Sequence, residues 1–227
     1  MTKTSQESQD NRERIMLAAE SLFASQGFSA TSVREIVGQA NVTAPVLYYY
    51  FGSKDELLQT LIAERFDAHF TRIRDAIVGV KTLEDLISQW YRSGLAVTTE
   101  HPTALRLVLG ALWGPDMRHL DGLVYGFFDT SKKLFCASIQ ELEPTISQER
   151  AEYGYLVLSG MLNAFLFPLL RMGMSFDVDE IVRSLTPRVA AILRDDAPLP
   201  TGTLHQLNDH VSTLLSELAE SATQETP

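Results

Sequence analysis

The chain has a single cysteine, Cys136, in 227 residues, so no internal disulfide can hold it together. That scarcity fits a reducing compartment, and in the apolar run LFCASI the thiol reads as a small buried hydrophobe. The N-terminal stretch MTKTSQESQDNRER has no apolar core of the kind a secretory signal needs. Nor is there an uninterrupted span of about 20 mostly apolar residues. The longest apolar-rich run, Tyr153 to Leu170, is broken by Gly154, Ser159, Gly160, Asn163 and Pro168. It reads as a buried helix, and the chain as a cytoplasmic protein with no membrane partner.

Catalytic signatures are missing as well. No glycine-rich phosphate loop, Cys-x-x-Cys, HExxH or GxSxG occurs. His205 and His210 are wrongly spaced to share a helix face, and adjacent carboxylates such as Glu84 with Asp85 or Asp195 with Asp196 point apart on a helix. The reading is therefore no catalytic residue, no metal site, no cofactor and no enzyme. Positive charge is also scarce: 19 Lys and Arg stand against 29 Asp and Glu, a net charge of −10. Such a balance disfavours nucleic acid as a partner of the whole chain. The deficit is unevenly spread, however. Residues 1–54 carry five basic residues (Lys3, Arg12, Arg14, Arg34, Lys54) and five acidic ones, so residues 55–227 hold the entire excess. A neutral head can meet DNA only through a few well-placed cations, with a shallow salt dependence.

What is present is helical pattern, densest between residues 31 and 54, TSVREIVGQANVTAPVLYYYFGSK. Val33, Ile36, Val37 and Ala40 recur at i, i+3, i+4 and i+7, one apolar face. Ser32 with Glu35 spells a capping box, and Asn41 suits the left-handed conformation that closes a helix. Thr43 caps a second short helix with Pro45 in its first turn. There Val42, Leu47, Tyr50 and Phe51 point inward, leaving Thr43, Ala44, Pro45, Val46, Tyr48 and Tyr49 outside. Gly52-Ser53 stops it, and Ser53 with Glu56 caps the next. Two short helices joined by a tight turn, with a polar-aromatic outer face, describe either a helix-turn-helix or an ordinary helical hairpin.

The wording of the stretch separates the two. TSVREIVGQANVTAPVLYYYFGSKDEL, with its LYYYF and Ser-Lys pair, closely resembles the DNA-binding segment of TetR-family regulators. The likeness extends back through LAAESLFASQGFSATS and covers about residues 11–62. It implies that the helix from Thr43 to Phe51 lies in the major groove of a palindromic double-stranded operator. Ser32, Arg34, Thr43, Ala44, Pro45, Tyr48, Tyr49 and Lys54 are then the DNA-facing positions. Tyr48 and Tyr49 match backbone-contacting positions, Lys54 matches a phosphate-reaching lysine, and Arg34 suits a guanine edge. Ala44 and Pro45 depart from the Lys, Arg or Gly often found there, so readout would lean on apolar contact.

Along the chain the pattern predicts an all-α protein. A polar, disordered tail over 1–9 precedes a three-helix head over 10–54, whose first helix buries Ile15, Ala18, Ala19, Leu22 and Phe23. A linking helix from Lys54 to Val80, about 39 Å long at 1.5 Å per residue, leads into a larger helical domain over 55–196. Helices are expected over Thr82–Glu100, Pro102–Trp113, Leu120–Leu142, Ser147–Met172 and Asp177–Arg194, with kinks at Pro168 and Pro187. A linker and extra C-terminal helix fill 197–227, where Leu204, Leu207, Val211, Leu214 and Leu218 form a narrow seam.

By resemblance the larger domain encloses an effector pocket and forms a homodimer. Phe70, Trp90, Trp113, Tyr125 and Phe128 are the candidate lining for an unknown small molecule, with His69, His101, Arg106 and His119 as possible polar additions. Leu158, Leu162, Phe165 and Leu169, with Val182, Leu185 and Val189, are the candidate dimer face. The implied function is a ligand-responsive repressor. A ligand-independent DNA-organising protein and a helical carrier or enzyme with a vestigial head are the rivals.

Overall fold

The computed structural model describes residues 3–100, 102–113, 120–172 and 174–199. Among them are nine α-helices and no strand: α1 (Lys3–Gln26), α2 (Val33–Ala40), α3 (Ala44–Phe51), α4 (Lys54–Ile77), α5 (Leu83–Glu100), α6 (Pro102–Trp113), α7 (Asp121–Leu142), α8 (Gln148–Met172) and α9 (Val178–Arg194). The all-α expectation holds. The candidate seam over 204–218 lies outside the described residues. α1 begins at Lys3 rather than near Asp10. No glycine or proline interrupts KTSQESQD, so a helix nucleated by the apolar stripe behind it propagates outward at little cost. Pro168 and Pro187 lie inside α8 and α9.

The chain divides into two compact units: Met1–Ala68 with His101–Asp121, and His69–Glu100 with Gly122–Pro227. The division falls inside α4, between Ala68 and His69, later in the chain than the expected limit at Lys54. α6 belongs to the first unit, where it packs on α1. Chain order alone had assigned α6 to the larger domain.

The first unit closes around Ile15, Ala19, Phe23, Ile36, Leu47, Phe51, Leu57, Leu58 and Leu61, all buried. Phe28 stacks on Phe23 with ring centroids 5.3 Å apart. Two ion pairs fasten α1 to α4, Arg12 to Glu64 at 2.5 Å and Arg65 to Glu20.

In the second unit α5 packs against α8 and α9, which also pack on each other. Its core holds Leu86, Trp90, Tyr91, Phe135, Cys136, Ile139, Leu158, Val182, Val189 and Leu193. Burial pushes the Cys136 thiol up to about 12, which leaves it un-ionised and inert at neutral pH. Two glycines permit the close helix approach. A Cβ on Gly94 would stand 2.5 Å from Leu162 Cδ2, and one on Gly154 would meet Leu193. At the rim Arg194 pairs with both Glu84 and Glu143, which holds the Glu84 carboxyl below its usual range.

This packing corrects the candidate dimer face. Leu158, Val182 and Val189 are at most 3% exposed, sealed in the core of their own unit. Leu162 covers Gly94, Leu185 packs against the same core, and Phe165 meets Phe176 edge-on at 5.4 Å. Leu169 is half-buried. The most apolar stripe of α8 and α9 is consumed by their packing on α5 and each other. The outward face of α8 instead presents Leu156, 44% exposed, with Gly160 and Ala164.

Candidate nucleic-acid interface and effector region

The helix-turn-helix is built from local signals that act as read. Ser32 Oγ accepts from the Glu35 amide at 3.2 Å while Glu35 Oε2 accepts from the Ser32 amide at 2.8 Å, a complete capping box. These bonds lower the Glu35 carboxyl from its ordinary range. At the other end of α2, Asn41 takes φ 53° and ψ 49°, and the amides of Asn41 and Val42 close on the carbonyls of Gly38 and Val37. This is the paired closure that a left-handed C-terminal residue makes possible. Thr43 supplies extended backbone at the start of α3 without a side-chain bond, and Pro45 occupies the first turn. Gly52, at φ 70°, ends α3, and a Cβ there would lie 2.5 Å from Glu56 Oε2. Ser53 Oγ then accepts from the Glu56 amide at 3.0 Å to start α4.

α3 is thereby held with Leu47 and Phe51 buried and its other flank outward. Tyr49 is 81% exposed and Tyr48 49% exposed, and with Leu17 they are the exposed large hydrophobic side chains described on the head. Thr43 and Pro45 are exposed beside them, whereas Ala44 and Val46 are half-buried. Tyr50 is half-buried and meets Tyr49 edge-on at 5.1 Å. Ser32 and Arg34 are exposed at the start of α2.

The cations are less available than the sequence suggested. Arg14 Nη1 donates to Ala40 O at 3.0 Å, buttressing the turn. Arg12 lies over the Phe51 ring at 5.6 Å as well as pairing with Glu64. Lys54 Nζ donates to the carbonyls of Phe28 and Thr31, both at 2.9 Å, and sits 4.1 Å from the centroid of the Phe28 ring. Only Arg34, among the cations described between residues 9 and 54, is exposed and makes no hydrogen bond or ion pair.

The family described as "Bacterial regulatory proteins, tetR family" matches residues 15–61. The head is a TetR-family helix-turn-helix. Curated relatives agree: the regulator YuxN of Bacillus subtilis is 36% identical over 87 residues, 38% of this chain and 28% of that protein. The regulator UidR of Escherichia coli is 30% identical over 81 residues, 36% of this chain and 41% of that protein. The chain thus aligns with less than half the length of these relatives, and the likeness lies in the TetR-family part. Over a longer stretch the fold is shared with native NalD of Pseudomonas aeruginosa, at TM-score 0.64 and 20% identity, covering 83% of this chain and 100% of that one.

The candidate lining residues separate: Phe70, Trp90, Tyr125 and Phe128 belong to the second unit, whereas Trp113 and Arg106 lie on α6 in the first. Phe70 and Phe128 are brought together through Phe127, at 4.9 and 5.6 Å, and His69 joins them at 5.7 Å. Phe127 and His69 thus complete a cluster that helical spacing alone did not single out as one. Trp90 belongs elsewhere, packed edge-on to Phe135 at 4.9 Å in the core and 3% exposed, so it is not available as lining. Tyr125 is half-buried, and the side chain of Trp113 lies outside the described residues, as do His101 and His119. Arg106 is exposed on α6. Among the described residues no cluster of His, Cys, Asp or Glu could hold a metal, and no helix is long and apolar enough to cross a membrane.

His69 carries a measurable consequence. Loss of water around the imidazole, helped by the charge of Arg72, lowers its pKa to about 4. In the unfolded chain an imidazole titrates near 6.5, so between those values the unfolded state binds the proton and the folded state does not. Stability is therefore fully present above about 6.5 and falls as pH drops towards about 4, by on the order of 3 kcal/mol. Urea midpoints measured across this range should fall with pH, and His69→Phe should flatten the slope. Carboxylates such as Glu84, held below their ordinary value, begin to lose their contribution only below about 4.5, at the acid end of this range.

Proposed function

We propose that this protein is a sequence-specific DNA-binding transcriptional regulator that acts as a homodimer and releases its operator when a small molecule binds. The observation that carries the reading is α3, a recognition helix with Tyr48 and Tyr49 outward and both ends fixed, within a head that matches the family. Arg34 and Thr43 flank the same surface. Repression is favoured over activation because NalD, with the same fold, is described as the secondary repressor of an efflux pump.

In a two-fold dimer the two α3 helices would enter successive major grooves, about 34–36 Å apart. The surface that fits such a dimer is the outward side of α8, around Leu156, Gly160 and Ala164. The aromatic group of Phe70, Phe127, Phe128 and His69 is the favoured effector region. Phe70 and His69 lie on α4, the helix that begins beside α3, so an effector there would act on the element that carries the head. A ligand preferring the DNA-incompetent arrangement by about 1–3 kcal/mol would weaken operator binding some 5–150-fold.

Selection of bound duplexes from a random library, at fixed salt, tests the reading. A palindromic motif should emerge and should be lost when a candidate effector is added at saturation. If no motif is enriched with or without cell extract, the regulatory reading fails and the carrier reading takes its place.

A further inference from the structure

Lys54 stands where the family resemblance implies a phosphate contact, yet its ammonium is already surrounded. An ammonium has three N–H donors. Two of them reach the carbonyls of Phe28 and Thr31 at 2.9 Å, and the Phe28 ring lies 4.1 Å away on another side. Such a cation is held by charge-assisted hydrogen bonds and a cation–π contact at once. Two of its three donors are committed to carbonyls and the ring holds the charge from another side, so a phosphate would have to compete with contacts already in place.

The position of the clamp gives it a purpose. Thr31, 1% exposed, immediately precedes Ser32, the cap of α2. Its hydroxyl donates to Gly27 O at 2.7 Å, so the turn between α1 and α2 is itself knit together. Lys54 opens α4 just after Gly52 and Ser53, which end α3. The clamp therefore joins the beginning of α2 to the end of α3. The Asn41 turn, buttressed by Arg14, joins the end of α2 to the beginning of α3. Both ends of the pair are tied.

We infer that Lys54 is a positioning residue that fixes the angle of the recognition helix, and that Arg34 is the cation of residues 9–54 that neutralises DNA phosphate. The inference rests on the DNA-binding reading for its second half only. The clamp exists in the free protein, so the two can fail separately.

The test uses the full chain with Lys54→Met, which keeps the stem and removes the charge, beside Arg34→Ala. Each phosphate neutralised contributes about 0.9 to the slope of log affinity against log salt, so Arg34→Ala should flatten the slope by about 0.9 per head. Lys54→Met should leave the slope and non-specific affinity for random duplex unchanged while lowering the operator-to-random ratio about tenfold, at a temperature where circular dichroism shows it fully folded. A slope reduced by about 0.9 per head in Lys54→Met would overturn the assignment, as would an unchanged operator-to-random ratio in the folded variant. Nitrogen-15 NMR of the free wild-type protein supplies the readout that needs no DNA. The Lys54 ammonium should exchange its protons slowly, and a fast-exchanging signal like that of Lys81 would refute the clamp. Slow exchange with no binding to any duplex would keep the clamp and defeat the regulatory reading instead.

Discussion

Leu158→Asp is expected to abolish cooperative folding of the second unit, while Leu156→Asp two residues away leaves it folded but unable to dimerise. Leu158 is fully buried between α5, α8 and α9, in the same cluster as Phe135 and Val189. A carboxylate there has no described cation to pair with. An uncompensated buried charge belongs to the small class of substitutions costing more than about 4 kcal/mol, against a typical total of about 5–15 for a domain. Leu156 is 44% exposed, so a charge at that position meets water in the isolated chain and should alter its stability by about 0.5 kcal/mol or less. In a dimer built on that face the same charge would be buried against its own symmetry copy, which is doubly unfavourable because a two-fold interface repeats every residue. Thermal melting and sedimentation together separate these effects. A folded, monomeric Leu158→Asp alongside a dimeric Leu156→Asp would reverse the assignment of inward and outward faces.

That pair of residues also shows where sequence reasoning loses its grip. On α8, Leu156, Val157 and Leu158 are consecutive apolar residues covering most of the helix circumference, so periodicity finds a stripe but not which neighbour it faces. The answer depends on Gly94 and Gly154, whose missing side chains let α5 and α9 close on α8. No local pattern announces that. α6 was misplaced for a related reason: chain order places it after α5, while its packing partner is α1 at the far end of the sequence. The aromatic cluster of Phe70, Phe127 and Phe128 joins two helices in the same way, and Trp90, equally aromatic, lies in another part of the unit.

The helix-turn-helix was legible because its determinants are three or four residues apart. The Ser32–Glu35 box, the left-handed Asn41 and the stop at Gly52 are chemistry that a short window contains. Buried Leu47 and Phe51 follow from the spacing of a single helix face. The role of Lys54 was not legible, because its carbonyl partners lie 26 and 23 residues back in the chain. The resemblance to a family supplied a role for that position. The packing of this particular chain supplies a different one.

Tyr49→Ala should reduce operator affinity by about 5–150-fold, roughly 1–3 kcal/mol, with little change in stability. The asymmetry follows from exposure. At 81% exposed, Tyr49 buries almost nothing in the head, and its one described ring contact is the edge of Tyr50 at 5.1 Å. Removing it should shift the stability of the head by about 0.5 kcal/mol or less, the range of ordinary surface changes. Bound to a duplex, the same ring would be covered by the sugar-phosphate backbone, and its hydroxyl could donate to a phosphate oxygen. Tyrosine loses little conformational freedom on such docking, which is why exposed tyrosines make effective anchors. Tyr49→Phe distinguishes the two contributions. It should retain most of the packing and lose only the hydrogen bond, about 0.5–1.5 kcal/mol. Fluorescence anisotropy with the selected operator, read beside urea unfolding of each variant, provides the comparison. Equal losses in Tyr49→Ala and Tyr49→Phe would make the hydroxyl the whole contact. No loss in either would remove α3 from the DNA interface, whatever the family likeness of the head.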